Sequence, residues 1–128
     1  MLIILDTSML MLPLEKKINL SSEIERIIPK SHKIVVPKIV LKELTELLES
    51  SSSVTTRKAN FALNLSKNFT IIDSQEGIHA DEEIIRLALE HKAIVATNDK
   101  KLRLRLREKG IAVISMHGKN RLSLFGYI

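Results

Sequence analysis

Two aliphatic runs in this chain end on a carboxylate. Leu2–Leu5 lead straight into Asp6, and Ala93–Ala96 lead through Thr97 and Asn98 into Asp99. Runs of this length read as buried strands. In an open parallel sheet the ligand site lies beyond the carboxyl ends of the strands, at the point where strand order reverses. If these two strands are neighbours across that point, Asp6 and Asp99 converge, and helices following the neighbouring strands can add Glu43 and Asp81. Four carboxylates in one pocket repel one another and raise each other's pKa unless a cation neutralises them. Mg²⁺ or Mn²⁺ suits the task, being hard, oxygen-seeking and able to keep waters and phosphates in its shell. Such ions activate a bound water for in-line attack on a phosphodiester, while a second ion about 4 Å away can steady the leaving oxygen.

Each acid also has a plainer use. Asp6 and Asp99 both stand where an aspartate caps a following helix. Glu43, flanked by Lys42 and near Glu46, fits a solvated helix face, and Asp81 beside Glu82 and Glu83 fits the acidic first turn that a helix dipole favours. Residue types alone leave both uses open.

The elements that must position these side chains follow from hydrophobic spacing. Short aliphatic runs alternate with longer amphipathic ones, the pattern of βα units. Strands are predicted at Leu2–Leu5, Lys33–Val36, Phe69–Ile72, Ala93–Ala96 and Ile111–Ile114. Ser22 and Glu25 have capping-box spacing for a helix through Ile24, Ile27 and Ile28 that Pro29 closes. Pro37 can begin a helix with Val40, Leu44, Leu47 and Leu48 on one face and Glu43 in its second turn. Ser50–Ser53 read as a mobile loop, with helix resuming near Thr56 and presenting Ala59, Ala62, Leu63 and Ser66 as a narrow face. After a loop with Asp73, Gly77 and His79, a helix should turn Ile84, Ile85, Ala88 and Leu89 inward. The segment Lys100–Gly110 alternates Leu and Arg like a strand, but a helix keeps the βα order, puts Leu102 and Leu106 on the sheet, and ends on Gly110.

Composition narrows the chemistry. A chain of 128 residues, 45% hydrophobic and 27% charged, fits one globular domain over 1–128. With 3% aromatics its core must be aliphatic, and without cysteine it has no disulfide, thiolate site or cysteine nucleophile. No apolar run approaches the roughly 20 residues of a membrane span. The N-terminus lacks signal-peptide features, which predicts a cytoplasmic protein without a membrane partner. A formal charge of +5 points toward a polyanionic partner. His32, His79, His91 and His117 have no ligand spacing, and Asp73 also ends a strand, but an outer one.

Taken in order, "ILDTSML", "VPKIVLKEL" and "ADEEIIRLALEHKAIVATNDKKL" make the chain resemble the PIN domain, a metal-dependent endoribonuclease fold, over nearly its whole length. Asp81 precedes Asp99 by eighteen positions and Thr97 by sixteen, as in that family. The resemblance implies an α/β fold, a three-layer α/β/α sandwich on a five-stranded parallel sheet in the order 3-2-1-4-5. It makes Asp6, Glu43, Asp81 and Asp99 the catalytic and metal-binding quartet, with Mg²⁺ or Mn²⁺ as cofactor. Ser8, Thr97 and Asn98 fall at supporting positions that orient water or a carboxylate; Ser8 departs from a commoner Asn. RNA is the implied substrate, which Arg57, Lys58, Lys100, Lys101 and Arg103 can grip by its phosphates. A short N-terminal helix followed by "LPLE", the helix start "TTRKAN" and the closing "LSLFGYI" resemble small archaeal PIN proteins, similar both to VapC toxins and to nucleases of small-subunit ribosomal RNA processing.

The resemblance also implies a homodimer, and an antitoxin or ribosome-assembly factor as possible partner. Leu10, Met11, Leu12, Leu47 and Leu48 look like surplus apolar surface for such an interface. A response-regulator receiver domain shares the length and the βα alternation, but it needs paired acids at the first strand and a lysine after the fifth, which this chain lacks. The alternative within the fold is a catalytically weak module that only binds RNA or protein.

Overall fold

A computed structural model describes all 128 residues. Six strands form one sheet in the order β3-β2-β1-β4-β5-β6: β1 (Leu2–Leu5), β2 (Lys33–Pro37), β3 (Thr70–Ile72), β4 (Ile94–Ala96), β5 (Val113–His117) and β6 (Arg121–Phe125). The first five are parallel in the predicted order, with Ile4 opposite Val35 on one side and Val95 on the other. The central strands bury consecutive residues, such as Ile3, Ile4 and Leu5. Both faces of the sheet are therefore covered, as a parallel sheet requires.

The sixth strand was not predicted. It pairs antiparallel with β5 after a turn at Gly118, whose φ of +75° a side chain would strain. Its exposed edge is partly met by α2 (Leu20–Ile27): Glu23 accepts from the Leu122 amide at 3.0 Å and Arg26 donates to the Leu122 carbonyl at 2.8 Å. These contacts blunt a sheet edge that would otherwise offer free backbone groups.

Six helices connect the strands, and they depart from expectation in four places. The helix α1 (Thr7–Glu15) takes in "LPLE", so Pro13 lies inside it, two residues before the end. The cap of α2 is Asn19, which accepts from the Ser22 amide at 2.9 Å, so Ser22 and Glu25 form no capping box. After α3 (Lys38–Leu47), Ser52 caps α4 (Ser53–Ser66), so the end of the serine run starts a helix. In α5 (Ala80–His91) the buried arc runs from Glu83 through Leu87, Ile84 and Ala88 to Ile85, and Leu89 falls outside it at 51% exposed. The ambiguous Leu/Arg stretch is a helix, α6 (Lys100–Glu108), with Leu102 and Leu106 fully buried and Gly110 left-handed just beyond it.

The core is a single aliphatic cluster of 31 residues. Leu10 and Leu12 belong to it, so they are not the surplus surface the sequence suggested, while Met11, Leu47 and Leu48 are half-buried against it. The apolar argument for a dimer loses Leu10 and Leu12 to the core. No helix is long and apolar enough to cross a membrane.

Candidate active site

The reversal of strand order falls between β1 and β4, and both strands deliver their acids there. The Asp6 amide bonds to the Ala96 carbonyl at 3.2 Å, extending the β1–β4 ladder by one step. The Thr97 amide bonds to the Ile114 carbonyl at 2.9 Å, which holds the end of β4 against β5. Side chains leaving these two points are fixed by the sheet.

Asp6 is buried, at 5% exposed, and three protein groups donate to its carboxylate. Oδ1 accepts from the Met9 amide and the Ser8 hydroxyl, both at 2.8 Å, and Oδ2 accepts from the buried Thr97 hydroxyl. The Ser8 oxygen in turn accepts from the Asn98 amide at 2.9 Å. Asp6 is thus the N-cap of α1 as well as the end of β1. A carboxylate offers about four acceptor sites, so these donors leave room for a further ligand. Burial pushes its pKa up to about 6 despite the three donors, and the charge of Asp81 adds to the rise.

Asp99 likewise caps a helix, its Oδ1 accepting from the Lys101 amide at 2.9 Å and the Leu102 amide at 3.2 Å, while Oδ2 has no protein partner. On α3, Glu43 accepts from the Thr7 hydroxyl through Oε1, and its other oxygen has none. Asp81, in the first turn of α5, has neither a hydrogen bond nor an ion pair. Burial raises its pKa, the nearby Asp99 raises it further, and Arg105 and His79 work against the rise.

All four carboxylates line one cavity of about 380 Å³, together with Thr7, Ser8, Met11 and Leu47. The helix-capping roles of Asp6 and Asp99 hold, and they coexist with convergence on this cavity. No three acidic or imidazole side chains approach closely enough, as they stand, to enclose an ion. The donor set nevertheless fits a hard cation. Acids around the site are ion-paired: Glu82 with Arg105 at 2.5 Å, Glu83 with Arg86 at 2.5 Å, Asp73 with Lys38 at 2.7 Å. In a chain with 20 Lys and Arg, none of the four cavity acids has such a partner. Apart from the pull of Arg105 and His79 on Asp81, no protein cation is set against them.

The basic residues expected to grip RNA are dispersed. Lys100 and Lys101 are exposed in the first turn of α6, directly after Asp99. Arg103 lies over the Phe125 ring at 5.4 Å, and Lys58 pairs with Glu15 at 2.6 Å, while Arg57 is exposed on α4. None of the five lines the acidic cavity.

Three residues escaped the sequence reading. Thr7 orients Glu43, Arg105 lines a shallow extension of the cavity with Asp81 and Glu82, and Glu83 is a fully buried carboxylate clamped by Arg86. A signal existed for Arg105: with Leu102 and Leu106 turned inward, the residue before Leu106 lies at the edge of the buried face. For Thr7 and Glu83 nothing local distinguished them from their polar neighbours.

The profile of a PIN-like domain matches residues 3–119. Ribonuclease VapC4 of Methanocaldococcus jannaschii is 36% identical over 129 aligned positions, covering 98% of each chain. The solved structure of the PIN domain endonuclease Utp24 superposes with a TM-score of 0.82 at 25% identity, covering 99% of this chain and 92% of that one. With the sheet order, the convergent acids and these likenesses along nearly its full length, the chain belongs to the PIN-like domain family.

Proposed function

We propose that the protein is a divalent-metal-dependent endoribonuclease in which Asp6, Glu43, Asp81 and Asp99 hold Mg²⁺ or Mn²⁺ and act on single-stranded RNA. The observation that carries the reading is the set of four carboxylates on one cavity, none of them ion-paired in a basic chain. The likeness to a ribonuclease and to a PIN domain endonuclease supports the reaction class.

The bound cation would supply Lewis-acid activation of water and charge neutralisation at the scissile phosphate. The chain's own residues set up the rest. Thr97 and Ser8 fix the Asp6 carboxylate by donating to it, so that its free acceptor capacity faces the cavity in one orientation. Thr7 does the same for Glu43. Asp81, unbonded, is free to adjust to the ligand. In hydrolysis a water oxygen bonds to phosphorus, one ester P–O bond breaks, and the leaving oxygen takes up a proton. The exposed cations Lys100 and Lys101, next to Asp99, would draw phosphates toward a cavity that otherwise repels them.

The biological setting we propose is a VapC-type toxin or an RNA-processing nuclease of the cytoplasm, with an antitoxin or a ribosome-assembly factor as the corresponding partner. The stronger sequence likeness, to a VapC ribonuclease, favours the first. A small upstream reading frame encoding a DNA-binding antitoxin would separate the two. A homodimer is part of the proposal on the family resemblance alone, and light scattering at micromolar concentration tests it.

The decisive experiment is cleavage of single-stranded RNA with Mn²⁺, with Mg²⁺ and with chelator, using the wild type, Asp6→Asn and Asp99→Asn. Metal-dependent cleavage should fall at least about 100-fold in both variants while their circular dichroism is unchanged. Variants as active as the wild type would refute the assignment, and an inactive wild type would leave a binding module.

A further inference from the structure

A second cleft, of about 330 Å³, lies between α3 and the loop that precedes α5. Lys38, Ile39 and Lys42 come from α3, and Ser74, Ile78 and His79 from the loop. Glu43 and Ala80 line both this cleft and the acidic cavity, so the two adjoin. A strand whose phosphate sits at the carboxylates has its adjoining nucleotide within reach of the cleft.

The loop wall is fastened at three successive residues. Lys38 pairs with Asp73 at 2.7 Å, the Ile39 amide donates to the Ser74 hydroxyl at 2.8 Å, and the Gln75 amide donates to the buried Glu83 carboxylate. Arg86 holds Glu83 from the other side, at 2.5 and 2.9 Å. Beyond these anchors Gly77 has a φ of +80°, which sets a turn that a side chain would strain. Ile78 follows, 39% exposed, an apolar side chain kept at the cleft. A wall pre-formed in this way discriminates between ligands without first paying to order itself.

From this arrangement we infer that the cleft is a nucleobase subsite: it takes one unstacked base of the RNA, next to the phosphate at the acidic cavity, and gives the enzyme a base preference. The inference rests on the endoribonuclease reading. Ile39 and Ile78, one from each wall, offer apolar surface to the base face, and single-stranded RNA is read through splayed bases of this kind. Ser74, His79 and the loop backbone offer polar groups to the base edge. Lys42 has no ion pair and is placed to meet a flanking phosphate that the lining acids Glu46 and Glu76 would otherwise repel. The volume lies at the small end of ligand cavities, roughly 300–1,000 Å³, which suits one nucleotide and not a helix of a protein partner.

The test is a binding cycle with fluorescein-labelled hexaribonucleotides, measured by anisotropy with Ca²⁺ as the cation. An abasic ribose is moved through each position in turn, against wild type, Ile78→Ser and Ile78→Leu. In the wild type, one position should cost about tenfold in affinity when its base is removed; in Ile78→Ser that cost should shrink below about twofold, and Ile78→Leu should restore it. A merely structural effect of Ile78 would weaken intact and abasic RNA alike. No position standing out, or an equal abasic cost in Ile78→Ser, would overturn the subsite. Cleavage of the same RNA in Mn²⁺ is scored separately, so loss of the nuclease reading is distinguishable from loss of the subsite.

Discussion

The buried hydroxyl of Thr97, one residue past β4, donates to the carboxylate of Asp6, one residue past β1. The bond joins residues 91 positions apart in sequence. It exists because the two strands are neighbours at the reversal of the sheet. It also binds the site to the fold, since the orientation of the acid depends on the pairing of the strands.

Replacing Thr97 with Val keeps the shape and removes that donor. Asp6 then loses one of the bonds that favour its charged form, so its pKa should climb further and its hold on a cation weaken. Mn²⁺ affinity, read by calorimetric titration, should fall about 10- to 100-fold, the range for losing a group that orients a metal ligand. The fold should lose about 1–3 kcal/mol in urea melts. Unchanged Mn²⁺ affinity with lowered stability would make the bond purely structural.

The raised pKa of Asp6 gives the metal-free protein a pH signature. In the folded chain the group binds its proton up to about pH 6, while in the unfolded chain it releases it near about 3.9. Between these values the folded state holds more protons, so stability falls as pH rises through the window. A shift of this size corresponds to at most about 3 kcal/mol. Urea melts in chelator from pH 4 to 7 should show the decline, and Asp6→Asn should flatten it. Mn²⁺, which needs the ionised form, should bind more tightly as pH rises through about 6. A wild-type slope of the opposite sign, unaltered in Asp6→Asn, would contradict this.

Asp81 has no bond to lose and a neighbouring acid to escape. Asp81→Asn should therefore raise the melting temperature of the metal-free protein and reduce the further rise that Mn²⁺ gives. Calorimetry with and without Mn²⁺ reads both. A lower melting temperature with an unchanged metal response would reduce Asp81 to a first-turn acid serving the helix dipole.

Lys100 and Lys101 stand beside Asp99 without ion pairs, whereas Lys58 is engaged with Glu15 and Arg103 with Phe125. Replacing both lysines with Ala should flatten the slope of log affinity against log salt by about 0.7 for each phosphate that is no longer neutralised. Filter binding of single-stranded RNA across a salt series measures it. An unchanged slope would put the RNA path elsewhere, with Arg57 the next residue to test.

Much of this protein is local in origin and therefore legible in the chain. Four aliphatic residues in a row make β1, and Gly110 marks the end of α6; each depends on neighbours a few positions away, whereas the Leu/Arg alternation of α6 is locally ambiguous and only the βα order favours a helix. The acids Asp6 and Asp99 were legible for the same local reason, because residues that closely follow a strand must lie at the sheet edge. What local pattern could not decide was competition between equivalent candidates. Asn19 prevailed over Ser22 as a cap, Leu87 over Leu89 as core, and the serine run became a helix start because α4 packs on α1 and α3. β6 was missed because an edge strand becomes a strand through its partner, here β5 on one side and Glu23 and Arg26 of α2 on the other. In the site, sequence could name the four acids but not their surroundings. That Thr7 holds Glu43, that Arg86 and Gln75 hold Glu83, and that the arginines and lysines leave the cavity acids unpaired all follow from how separate elements pack. Side-chain charge and size are fixed by the chain, but which charges meet is fixed by which strands and helices lie side by side, and only the folded structure decides that.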